Sequence, residues 1–138
     1  MSPMYSGSVP QVLLVDDEPF VRSMLKAVLE TDGYSVTIAV SAAEARAKLV
    51  DQSFDVVITD MRMETDISGY EVVRAARRRR ENPVVIIMTA FPLSEEQWRH
   101  EGADAGMMKP VPMNEMLASI HHLLQVRRAN AGQDCRTV

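Results

Sequence analysis

The chain has one cysteine, Cys135, among its 138 residues, so no disulfide can form within it and a reducing compartment is the simpler expectation. The thiol sits in a polar stretch and reads as inert. No run of about 18 apolar residues is present, and residues 1–10 lack the basic start and apolar stretch of a signal peptide. A cytoplasmic protein without a membrane partner is expected. Positive charge is not in excess either. The formal net charge is -4, which argues against direct nucleic-acid binding, since that affinity rests on Lys and Arg neutralising phosphates. No stretch rich in Gly, Ser or Pro divides the chain. One domain over residues 11–126 is expected, with a flexible N-terminal segment, 1–10, and a polar C-terminal tail, 127–138, that frays after Val126.

What is present suits one compact core. Residues are 46% hydrophobic and 25% charged, and a chain of this length buries roughly two thirds of the surface that it exposes when unfolded. Residues 11–15 hold a short apolar run, Val12, Leu13, Leu14 and Val15, bounded by Pro10 and by Asp16 and Asp17. That pattern fits a strand buried on both faces. Pro19 then opens a helix on which Val21, Met24, Leu25, Val28 and Leu29 recur at helical spacing until Gly33 stops it.

The alternation repeats. Strands are predicted over 35–39, 55–59, 84–88 and, more weakly, 105–108. Helices are predicted after each, and three of them open on a capping box: Ser41 with Glu44, Ser68 with Glu71, and Ser94 with Gln97. The last helix carries Met113, Met116, Leu117, Ile120, Leu123 and Leu124. Five apolar strands alternating with five helices specify a parallel sheet covered on both faces. A closed barrel would need about 250 residues. The fold class is therefore α/β, a doubly wound five-stranded parallel sheet of flavodoxin-like order 2-1-3-4-5.

In such sheets ligands bind beyond the carboxyl ends of the strands, where the strand order reverses, here between strands 1 and 3. Strand 1 ends in Asp16 and Asp17, strand 3 in Asp60, strand 4 in Thr89 and Ala90, and strand 5 in Lys109 and Pro110. Three carboxylates meeting in one crevice repel unless a cation joins them. Oxygen ligands of this kind suit Mg²⁺ shared with a phosphate. A carboxylate can also act as the nucleophile that accepts a phosphoryl group. Asp60, flanked by strands 1 and 4, is the best-placed acceptor. Lys109 supplies a positive charge and the Thr89 hydroxyl a donor to the phosphoryl oxygens.

With these residues the sequence resembles the receiver domains of two-component response regulators, chemotaxis-regulator-like single-domain receivers among them. The matching residues are Val15-Asp16-Asp17-Glu18-Pro19, Thr59-Asp60-Met61-Arg62-Met63, Ser68-Gly69-Tyr70-Glu71-Val72, Met88-Thr89-Ala90, Gly102-Ala103-Asp104 and Lys109-Pro110. The resemblance implies that a histidine kinase or histidine phosphotransfer protein donates a phosphoryl group to Asp60. It implies that Mg²⁺ is held directly by Asp17 and Asp60, by Asp16 through water, and by the backbone carbonyl of Arg62. It also implies that Thr89 follows the phosphoryl group and changes a surface that binds a downstream protein, and that the Lys109–Pro110 peptide is cis. Beyond loading and losing its own phosphoryl group, such a module is not an enzyme.

Three departures stand out. Many receivers carry an aromatic switch residue three positions before the lysine, and here that position is Gly106. The loop after Asp60 has Glu64 where a proline is usual and reaches Gly69 one residue late. Glu64 and Asp66 in that loop are read as solvated carboxylates. Arg62 and Phe91 stand two past the acceptor and two past the threonine. Phe91 is expected to shield an acyl phosphate from water, so Phe91→Ala should lose phosphate faster than the parent in a single-turnover decay.

Other features carry less. Arg77 to Arg80 reads as a solvated basic helix end. His121 and His122 lack the spacing of a metal pair. Met24, Met88 and Met116 fit the core, Met107 and Met108 are ambiguous, and Trp98 is either a partner contact or a core filler. Competing functions fit less well. A flavin carrier would place a phosphate against Asp16, Asp17 and Glu18, which repel it. A phosphohydrolase of the haloacid dehalogenase kind needs two aspartates separated by one residue, and here they are adjacent. A degenerate receiver acting as a phosphorylation-independent protein-binding module is the remaining alternative. No effector domain is expected after residue 126.

Overall fold

The computed structural model describes the backbone of residues 9–137 and the side chains of residues 9–131. The expectations for residues 1–8 and for the Cys135 thiol therefore lie outside the described residues. Ten elements alternate: β1 (Gln11–Val15), α1 (Pro19–Thr31), β2 (Ser35–Ala39), α2 (Ala42–Asp51), β3 (Val56–Asp60), α3 (Ser68–Arg77), β4 (Val84–Thr89), α4 (Glu95–Glu101), β5 (Ala105–Met108) and α5 (Met113–Thr137). All strand pairs are parallel and the order is β2-β1-β3-β4-β5. The doubly wound sheet read from the apolar runs is the sheet observed.

Because side chains on a strand alternate faces, each apolar run divides between two cores. Leu13, Val15, Val57, Val85 and Ile87 pack under α2, α3 and α4 with Leu49, Phe54, Tyr70, Val73 and Trp98. Val12, Leu14, Val56, Ile58, Val84, Ile86 and Met88 pack under α1 and α5 with Leu25, Leu29, Met116, Ile120 and Leu124. Burying each such large aliphatic side chain contributes about 1.5–3 kcal/mol against leaving it in water. The three central strands β1, β3 and β4 are thus pinned on both faces, which fixes where their carboxyl ends lie.

Several local readings change. Ser68 does not cap α3. The N-cap is Ile67, and the Ser68 hydroxyl lies inside the helix, accepting from Thr65 N–H at 2.9 Å and bonding Thr65 O at 3.2 Å. The cause is Gly69, whose N–H reaches back to Met61 O at 2.7 Å. A Cβ there would stand 2.7 Å from Asp60 O and from Met61 Cα, so only glycine lets α3 begin against the end of β3. Met24 is 39% exposed rather than core, while Met88 and Met116 are buried. Helix α5 continues past Val126 to Thr137, and Arg127 bonds Asp104 at 2.7 Å and Pro83 O at 3.2 Å.

Candidate functional site

β1 and β3 deliver Asp16, Asp17 and Asp60 to the place where the strand order reverses. One carboxylate oxygen from each lies within 4.8 Å of the others. Asp16 is wholly buried, Asp60 is 7% exposed, and Asp17 faces solvent. From the end of β5, Lys109 Nζ stands 3.0 Å from Asp16 Oδ2, 3.0 Å from Glu18 Oε1 and 3.2 Å from Asp60 Oδ2. The Lys109–Pro110 peptide is cis. Lys109 N–H donates to Thr89 O at 2.7 Å, which ties the end of β5 to the end of β4.

The charges do not balance. Three carboxylates surround one ammonium, whose affinity for its proton rises: although burial opposes it, the hydrogen bond that Lys109 donates to Glu18 and the close charges of Asp16 and Asp60 prevail. The Asp60 carboxyl is raised above its ordinary range, first by burial and next by the Asp16 charge. Lys109 and a 2.8 Å bond from Met61 N–H oppose this and do not prevail. Asp16 Oδ1 accepts from Glu18 N–H at 2.9 Å, but the buried Asp16 Oδ2 receives no hydrogen bond. Lys109 Nζ is close enough for an ion contact with it without hydrogen-bond geometry. A buried carboxylate oxygen without a donor, among three convergent carboxylates, is the donor set that a hard divalent cation completes.

Thr89, 4% exposed, sits at the end of β4 beside this cluster, in register with Met108 of β5. Its hydroxyl donates to Phe91 O at 2.8 Å and accepts from Phe91 N–H at 3.0 Å. Arg62 lays its guanidinium 3.9 Å from the centre of the Phe91 ring, so the residues two past Asp60 and two past Thr89 stack as a cation–π pair.

Glu64 is not a simple solvated carboxylate. It accepts from Ala42 N–H at 2.9 Å and Ala43 N–H at 3.2 Å, Ser41 caps Glu44 N–H, and Glu44 accepts from Val40 N–H. The longer loop after Asp60 thus serves the start of α2, where orphan donors concentrate. Burial pushes the Glu64 carboxyl up, but the two N–H bonds and Ser68 outweigh it and hold it low. Asp66 does remain largely exposed, 3.8 Å from Arg62. Neither loop acid belongs to the convergent cluster among the described residues.

A family model described as the response regulator receiver domain matches residues 12–121. The chain belongs to the receiver family. Curated relatives of this receiver include the transcriptional regulatory protein TrcR of Mycobacterium tuberculosis, 33% identical over 121 residues, covering 86% of this chain and 47% of TrcR. Another is ResD of Bacillus subtilis, 32% identical over 124 residues, covering 87% of this chain and 49% of ResD. The receiver spans about half the length of these relatives. A CheY-like receiver domain from Methanospirillum hungatei superposes with a TM-score of 0.82 at 30% identity, covering 89% of this chain and 99% of that one. TrrA of Thermotoga maritima, solved in complex with Mg(2+)-BeF, superposes with a TM-score of 0.73 at 31% identity, covering 83% and 98%. Receiver domains are signalling modules. Among the described residues no helix is long and apolar enough to cross a membrane.

Proposed function

We propose that this receiver takes a phosphoryl group on Asp60 from a histidine kinase or histidine phosphotransfer protein, with Mg²⁺ as cofactor, and thereby alters a surface that binds a downstream protein in the cytoplasm. The observation that carries this is the cluster itself: Asp16, Asp17 and Asp60 converge, and Lys109 pairs with Asp16 and Asp60. Asp17 and Asp60 are the direct ligands in this reading, with Asp16 acting through water and the Arg62 carbonyl completing the set. The ion, when bound, supplies charge that offsets the carboxylates and the phosphoryl oxygens.

The protein's own residues divide the remaining work. Asp60 Oδ2 attacks phosphorus in line, and the donor nitrogen leaves with its electron pair. Lys109 Nζ, already 3.2 Å from that oxygen, pairs with a phosphoryl oxygen and limits the charge that builds there. The Thr89 hydroxyl gives up its two bonds to Phe91 and donates to another phosphoryl oxygen. The Phe91 ring and the Arg62 guanidinium cover the approach and slow hydrolysis. Direct nucleic-acid binding is not part of this reading, given the charge of -4. The presence of the whole acceptor set, Asp16, Asp17, Asp60, Thr89 and Lys109, weighs against a module that only binds protein.

Intact mass measurement after incubation with Mg²⁺ and acetyl phosphate tests the assignment. The parent should gain one phosphoryl group and Asp60→Asn none. A parent without the adduct, or a variant that keeps it, removes Asp60 from the role.

A further inference from the structure

Gly106 is the second residue of β5, and a Cβ built on it would lie 2.6 Å from Trp98 Nε1 and 2.9 Å from both Cδ1 and Cε2. No side chain tolerates such distances. The indole of Trp98 therefore fills the volume where a β5 side chain would stand. Trp98 is 8% exposed and is the one buried residue of α4. With seven residues, α4 is far too short to persist by its own hydrogen bonds. Ser94 caps one end by accepting from Gln97 N–H at 3.0 Å, and Gly102 closes the other in the left-handed region. Those caps shape the helix, and one indole in one slot holds it to the sheet.

The slot is mechanically close to the acceptor site. Gly106 is in register with Ile87, two residues before Thr89 on β4. The Thr89 hydroxyl holds the Phe91 backbone by two bonds, and the chain runs from Phe91 directly to the Ser94 cap. If the hydroxyl turns to another partner, both bonds are lost at the root of the segment that positions α4.

We infer that Trp98 and Gly106 form a latch that docks α4 on β5, and that release of this latch conveys the state of Asp60 to the surface of α4. The docking half stands on the packing alone, and the conveying half rests on the phosphoacceptor reading. Glycine at 106 is then a requirement of the latch: the aromatic group that holds this wall comes from α4, and the strand makes room for it.

Trp98 is the only tryptophan of the chain, so its emission reads the slot directly. On the full chain with Mg²⁺ and acetyl phosphate, adduct formation should be accompanied by a red shift of emission and faster amide exchange over Glu95–Glu101. An adduct with unchanged emission and exchange overturns the conveying half. No adduct at all overturns the phosphoacceptor reading and the conveying half with it. The docking half is judged without phosphodonor. Gly106→Ala should shift the emission red, and Trp98→Ala should lose protection over α4. Trp98→Ala combined with Gly106→Phe, which refills the slot from the strand, should melt higher than either single variant. Unshifted emission in Gly106→Ala, or a double variant no more stable than the weaker single one, overturns the shared slot.

Discussion

At the carboxyl end of the sheet three carboxylates, Asp16, Glu18 and Asp60, share one ammonium, Lys109, with Asp17 converging beside Asp16 and Asp60; at the amino end one carboxylate, Asp104, is shared by two guanidiniums, Arg77 and Arg127. The amino-end cluster finds acceptors for the terminal nitrogens of both guanidiniums within the protein, although Nε of Arg77 and of Arg127 is buried without one. Asp104 Oδ2 accepts from Arg77 at 3.0 Å, Arg127 at 2.7 Å and Val85 N–H at 2.8 Å, while Arg77 also donates to Asn82 and Pro83. Burial lowers the Arg77 proton affinity and Asp104 only partly restores it, yet both arginines have acceptors. The carboxyl-end cluster is left open, with an unbonded Asp16 oxygen and an Asp60 carboxyl pushed up. Buried charge paired from within is architecture. A buried carboxylate oxygen left unsatisfied among convergent carboxylates is the arrangement that a cation completes.

The largest effect should come from breaking the amino-end cluster. Asp104→Ala leaves two three-quarters-buried guanidiniums without their shared carboxylate and takes the acceptor from Val85 N–H. Loss of one partner from such a group costs about 3 kcal/mol, read as a lowered urea midpoint. A loss below about 1 kcal/mol would mean that the amino end is not held by this cluster.

The open cluster should respond with the opposite sign. A carboxyl raised on folding costs stability at pH values above its unfolded value, where the chain must carry the charge, and that cost disappears when the group is neutral. Asp60→Asn should therefore melt no lower than the parent in metal-free buffer at neutral pH. Adding Mg²⁺ to ten times its dissociation constant should stabilise the parent by about 1.4 kcal/mol and the variant by much less. An equal response in both would sever Asp60 from the cation site and erase the contrast between the two ends.

How much of this was legible beforehand differs between the two ends for a physical reason. The carboxyl-end residues Asp16, Asp17, Asp60, Thr89 and Lys109 each terminate a strand, so finding the apolar runs places them together once the strand order is known. Arg77 was read as part of a solvated helix end, because nothing local reveals that α3 stops beside Pro83 and Asp104. Ser68 looked like a cap because its spacing to Glu71 is right, and the pull of Gly69 on Met61 that sets the real start of α3 is a contact between two elements. Gly106 was visible as an absence, but which residue filled its slot depended on the docking of α4.

Glu64 gives the smallest effect and the sharpest check on what counts as part of the open cluster. By sequence it is one more acid beside Asp60; in the fold its carboxylate is spent on Ala42 N–H and Ala43 N–H at the start of α2. Its folded pKa is lowered from 4.5, so its contribution is present above that value and is lost as pH falls through the lower folded one. The group is exposed, which discounts the helix-cap scale to about 0.5 kcal/mol. Glu64→Ala should lose that amount at neutral pH, and the gap to the parent should close as the solution is acidified below 4.5. A gap that stays constant through acid would show that the carboxylate charge does nothing for α2. Mg²⁺ affinity should be unchanged in the same variant; a weakened ion would return Glu64 to the cation site and make geometry a poorer guide than the count of acids around Asp60.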